Sequence, residues 1–150
     1  MIISERHTWA VDEVGLATGD VWWRVGARRS DVDLPETATS AWQHDAQLED
    51  PHTPRTDSGS DGEVTVDDER QVLWFSIDEA ARTARLVRRP AHPAKISAHA
   101  TGDAQRLDNG HLFVGRGTAQ RISSFSDDGT LLFDATLPDV GYRAFRRVWR

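Results

Sequence analysis

Cysteine is missing from all 150 residues, which excludes disulfide frameworks, thiol catalysis and thiolate metal sites and leaves the redox compartment unmarked. Lysine is nearly missing too: Lys95 stands alone beside 17 arginines. No apolar run approaches the roughly 18 residues of a membrane span, so no membrane partner is expected. Met1-Ile2-Ile3-Ser4-Glu5-Arg6 lacks the basic start and apolar stretch of a signal peptide, and the chain as written is expected to stay in the cytoplasm. Helical periodicity is equally scarce, with Asp78 to Arg85 the one plausible helix former. His7, His52, His92, His99 and His111 have no metal-ligand spacing, and no metal or cofactor is expected.

What remains is one globular domain, 1–150, long enough to bury its own core. Its net charge of −6 argues against a nucleic-acid partner, since tracking phosphates needs clustered lysine and arginine. The charge is uneven. Eight carboxylates between Glu49 and Glu69 stand against the single Arg55, and residues 49–62 are expected as an acidic, mobile loop insertion. Arg143, Arg146, Arg147 and Arg150 make the tail basic, as either a solvated strand edge or an anion or RNA site.

Strand signals are frequent: short apolar or β-branched runs fall at 7–14, 20–25, 63–66, 72–77, 84–88, 111–114, 121–125, 130–137 and 142–149. Thr18-Gly19, Asp61-Gly62, Asn109-Gly110 and Asp128-Gly129 supply the positive φ of tight hairpins between them. The chain is therefore all-β and antiparallel. Val72 to Ile77 and Thr130 to Phe133 do not alternate cleanly, so both faces of those strands are expected to be covered. The tryptophans read mainly as packing between sheets.

The pattern also repeats. Asp45-Ala46-Gln47-Leu48 recurs as Asp103-Ala104-Gln105-Arg106-Leu107, and Val72 to Asp78 corresponds to Arg121 to Asp127, with an earlier partial copy at His7 to Val25. A unit of two hairpins, about 45 to 60 residues long, matches propeller blades, and the chain holds nearly three. The expected fold is a partial β-propeller, about three blades of a six-bladed type, with a homodimer as one way to complete the ring. Asp45 and Asp103, at equivalent repeat positions, read as turn or cap residues.

Several motifs carry a resemblance. Asp12 through Thr18-Gly19 to Trp23-Arg24-Val25-Gly26, with Arg29-Ser30-Asp31, resembles the strand-turn-strand and basic loop of arylsulfotransferase-like β-propeller proteins. Ala41-Trp42-Gln43-His44-Asp45-Ala46 is similar to that family's Gln-His-Asp-Ala segment. Ala104 to Gly115, Leu132-Phe133-Asp134-Ala135 and Gly141 to Arg146 resemble its closing strands. The resemblance implies a C-terminal portion of an enzyme that moves a sulfuryl group from an aryl sulfate to a phenol, through a histidine that holds the group covalently. Carried over residue by residue, it implies His44 as the leading site residue, Arg29 as an anion partner and His7 as a further polar group. Aryl sulfates or phenolic small molecules would be the ligands. The Phe-Asp-Asn-Gly turn usual after the Gln-His-Asp-Ala segment is absent, the nearest counterpart being Val66-Asp67-Asp68. The alternative is a catalytically inactive propeller fragment serving as a binding or assembly module, with His44 a hydrogen-bonded residue closing a hairpin.

Overall fold

The computed structural model describes residues 1–26, 28–35, 41–50, 53–58 and 71–147. Three antiparallel sheets follow one another along the chain. The first holds β1 (Ile2–Glu5), β2 (Ala10–Val14) and β3 (Val21–Gly26) in the order β1-β2-β3. The second holds β4 (His44–Asp50), β5 (Thr53–Ser58), β6 (Gln71–Asp78) and β7 (Thr83–Arg88), and the third holds β8 (Asp103–Arg106), β9 (Leu112–Gly115), β10 (Arg121–Phe125) and β11 (Leu131–Thr136), each in sequence order. The all-β, antiparallel reading holds. Among the described residues the only helical element is a 3-10 turn at Gly117–Ala119, and no helix is long and apolar enough to cross a membrane.

Alternation along β6 explains why the sheets stack. Leu73, Phe75 and Ile77 join Val11, Trp23, Val25, Val32 and Ala84 in the core between the first two sheets. Val72 and Trp74 point the other way, joining Ala104, Leu112, Val114 and Phe125 between the second and third. Both faces of β6 are thus covered, as its unbroken apolar run implies. The expectation fails for β11, where Leu132 and Phe133 are about half exposed at 51% and 49%. The third sheet ends the described stack, and its outer face meets no further sheet.

Other expectations need correction. Asp78 to Arg85 is no helix: residues 79–82 turn and Thr83 starts β7, with the Asp78 carboxylate accepting from the Ala81 N–H. The run lacks an apolar stripe, so packing against β6 decides its structure. Within the segment read as an acidic loop, Thr53–Ser58 is a strand paired with both β4 and β6. Its ladder position, not its composition, makes it a strand. Positions 51–52 and 59–62 lie outside the described residues, as do the run at 63–66 and the Val66-Asp67-Asp68 segment. Over 142–147 the chain has no strand pairing and bends at Tyr142, and 148–150 lie outside the described residues. Matching Val72–Asp78 to Arg121–Asp127 is one residue out of phase. Phe75 and Phe125 each face the preceding sheet, and a slip of one residue inverts every face of a strand.

Tryptophan supplies much of the core, with Trp9, Trp23 and Trp74 buried, while Trp22 is exposed on β3. β4 lies against β1 on one side and β8 on the other, so strands of all three sheets meet around its start.

Candidate active site

His44 opens β4 at a point where the backbone leaves its regular path. Trp42 and Asp45, two residues before and one after, have φ of 53° and 51°, in the left-handed region that a bulky tryptophan rarely enters. The ladder is also broken: His44 faces Asp57 and Gln47 faces Arg55, so two residues, Asp45 and Ala46, oppose one. Such a bulge re-aims a side chain, and backbone strain of this kind gathers at functional sites.

Two groups fix the strained turn. Gln43 is fully buried, and its Nε2 donates to the carbonyls of Glu5 at 3.0 Å and Ala10 at 2.5 Å, while Ser4 Oγ donates to the Gln43 carbonyl at 3.2 Å. The turn is therefore riveted to the first sheet. Asp45 ties it to the third, its Oδ2 accepting from the Ala104 N–H at 3.2 Å and from Gln47 Nε2 at 3.0 Å. Asp103 acts in the same way one sheet later, its Oδ1 accepting from the Ala144 N–H at 2.8 Å. Both aspartates cap backbone of the neighbouring segment.

Between these ties lies a cleft of about 260 Å³. It is lined by Ser4 and Arg6, by Gln43 to Asp45, by Ala100 to Gly102 and by Tyr142 and Arg143. Arg6 stands 5.0 Å from the Trp42 ring centre, within cation–π range, and Arg143 Nη1 is 3.7 Å from Asp45 Oδ1. An imidazole with two guanidiniums can attract an anion and attack it.

His7 and Arg29 do not line the cleft. His7 is exposed in the turn before β2, edge-on to Trp42 with ring centres 6.0 Å apart, and its carbonyl accepts from Arg28 Nη1 at 3.3 Å. Arg29 is exposed just after Arg28, so the turn carrying His7 and the loop carrying Arg29 are neighbours. Arg6 escaped the sequence reading although it adjoins His7, while Arg143, read there only as one of four basic tail residues, is the one that lines this cleft.

A second polar cluster sits in the third sheet. Asp134 accepts from Arg121 through Nε at 3.0 Å and through Nη2, and from Ser123 Oγ at 3.1 Å. Buried His92 brings Nε2 to 3.4 Å from Asp134, while its Nδ1 accepts from the Ala94 N–H at 3.1 Å. Hydrogen bonds from Arg121, outweighing burial, hold the Asp134 carboxyl down at about 2. Burial, then the nearby Arg116 charge, push His92 below its ordinary value. Among the described residues, no three His, Asp or Glu side chains gather there as a metal-ligand set.

The family model described as arylsulfotransferase (ASST) matches residues 1–137. No curated protein matches the chain.

Proposed function

The chain belongs to the arylsulfotransferase family, and from that premise we propose that it transfers a sulfuryl group between phenolic compounds with His44 as the nucleophile. The observation that carries this reading is the placement of His44 on a strained bulge, facing a cleft that also holds two arginines. A neutral imidazole nitrogen would form an N–S bond as the S–O bond to the aryl group breaks, the electron pair leaving with the phenolate. An acceptor phenol would then attack sulfur, release its proton to solvent and free the imidazole. His7 and Arg29 belong to this reading as polar groups outside the cleft, where the Arg29 charge raises the local concentration of an anionic donor.

The fold that suits this activity is a propeller portion. Three consecutive antiparallel meanders, stacked face to face with strands of each sheet meeting near the start of β4, are what neighbouring blades provide.

The test is release of nitrophenolate from 4-nitrophenyl sulfate with a phenol acceptor. Acceptor-stimulated release is expected, falling by about 10³-fold or more in His44→Ala. Turnover that is unchanged in His44→Ala would remove His44 from the mechanism.

A second reading, an inactive assembly module, has its own support in the apolar side chains exposed at both ends of the stack. These are Trp22 and Val21 on the first sheet and Leu132, Phe133 and Phe145 at the third. Two copies joined end to end would cover them.

A further inference from the structure

We propose that Arg143, carried by the tail, acts with Arg6 as the anion clamp of the His44 cleft and selects a singly charged sulfate ester over a doubly charged phosphate ester. The proposal rests on the reading of the cleft as a sulfuryl-transfer site. It assigns the anion contact to residues other than Arg29, and Arg143 lies beyond the portion that the family model matches.

The tail has no strand pairing of its own, yet it is held at every step. The Gly102 N–H donates to the Tyr142 carbonyl at 3.0 Å, and Thr101 Oγ1 donates to the Gly141 carbonyl at 3.1 Å. Asp103 takes the Ala144 N–H, and Gln105 both accepts from the Arg146 N–H at 2.8 Å and donates to its carbonyl at 3.1 Å. Arg143 lies in the middle of this clamp, so its backbone position is set before any ligand arrives. Gly115 makes the docking possible: a Cβ there would come within 2.6 Å of Asp103 Oδ1 and 3.0 Å of Ala144 Cβ. Residues that spend side-chain hydrogen bonds on an unpaired tail indicate that its position matters.

Arg143 reaches the cleft with its guanidinium 3.7 Å from Asp45 Oδ1, too far for a tight pair. The other Asp45 oxygen is taken by Ala104 and Gln47. Asp45 is therefore a positioning residue that orients the guanidinium and leaves N–H donors of its planar fork for a tetrahedral anion. Arg6, which also lines the cleft, supplies the second cation. Two guanidiniums and one carboxylate leave the lining one positive charge in excess with His44 neutral. A sulfate monoester, with one negative charge, neutralises that lining, whereas a phosphate monoester, which carries nearly two above its second ionisation near pH 6, would leave an uncompensated charge to be desolvated in the cleft. During transfer the clamp would also offset charge building on the sulfuryl oxygens.

Binding separates this proposal from the proposed transfer. Titration calorimetry with 4-nitrophenyl sulfate, in a His44→Ala background that cannot turn over, is expected to show saturable binding. Adding Arg143→Ala should weaken it about tenfold or more, as should Arg6→Ala, with Arg143→Lys recovering part of the loss. At pH 8, 4-nitrophenyl phosphate should bind more weakly than the sulfate. Equal affinity with and without Arg143, tighter binding of the phosphate, or no saturable binding would each overturn the clamp. Arg143-dependent binding without wild-type turnover would leave the clamp standing and defeat sulfuryl transfer; Arg143-independent binding with intact turnover would do the reverse.

Discussion

Asp134 and His92 are 3.4 Å apart, and both are held away from the protonation state that acid favours. For Asp134 the sign is fixed by Arg121: its pKa falls from 3.8 in the open chain to about 2 when folded. Its stabilisation is therefore complete above the open-chain value and lost as pH falls through about 2. His92 is also depressed, so the unfolded chain binds its proton first, and stability declines as pH drops below the ordinary 6.5. Acid should thus weaken the third sheet in two stages. Asp134→Asn is expected to lower the midpoint of thermal unfolding by about 3–6 °C at pH 7, a loss that shrinks toward pH 2. Melting curves between pH 2 and pH 7 decide this; a loss that stays constant with pH would show that the Arg121 pair is not its source. Nothing in the sequence marks this cluster, because His92 lies 42 positions from Asp134 and meets it only through the connection between β7 and β8.

Among the elements, β4 shows how far a sequence motif reaches. Gln43-His44-Asp45 stands out in the sequence, but what each residue does there depends on contacts 33 to 59 positions away: Gln43 with Ala10 and Asp45 with Ala104. Gln43 is a rivet between the strained turn and the first sheet. Gln43→Ala would leave the Glu5 and Ala10 carbonyls without this donor, at a cost of about 1–3 kcal/mol in denaturant unfolding. An unchanged midpoint would mean that the two carbonyls find other donors. The hairpins at Thr18-Gly19, Asn109-Gly110 and Asp128-Gly129 were legible from their turns and the apolar runs beside them, since alternation is a local property. β5 was not: Thr53–Ser58 has a strand's position, between β4 and β6, without a strand's composition. The phase between β6 and β10 was lost for a related reason. Period-2 patterns align equally well one residue apart, and only the neighbouring sheet tells the two faces from each other.

For the whole molecule, the governing fact is a stack with two well-filled seams and apolar residues at both outer faces. Leu132, Phe133 and Phe145 border a cleft of about 610 Å³ edged by Arg146 and Arg147, while the first sheet exposes Trp22 and Val21. The internal seams are built from the same residue types, so each outer face presents what a neighbouring sheet would cover. If two copies meet with the third sheet of one on the first sheet of the other, sedimentation should give twice 16.8 kDa, falling toward 16.8 kDa on dilution. Phe133→Glu places a charge in that seam and should yield monomer without unfolding the chain, because Phe133 is half exposed within one copy. A wild-type chain that remains at 16.8 kDa at high micromolar concentration would exclude the paired arrangement. Turnover by such a monomer would then show that three sheets are enough to build a working His44 cleft.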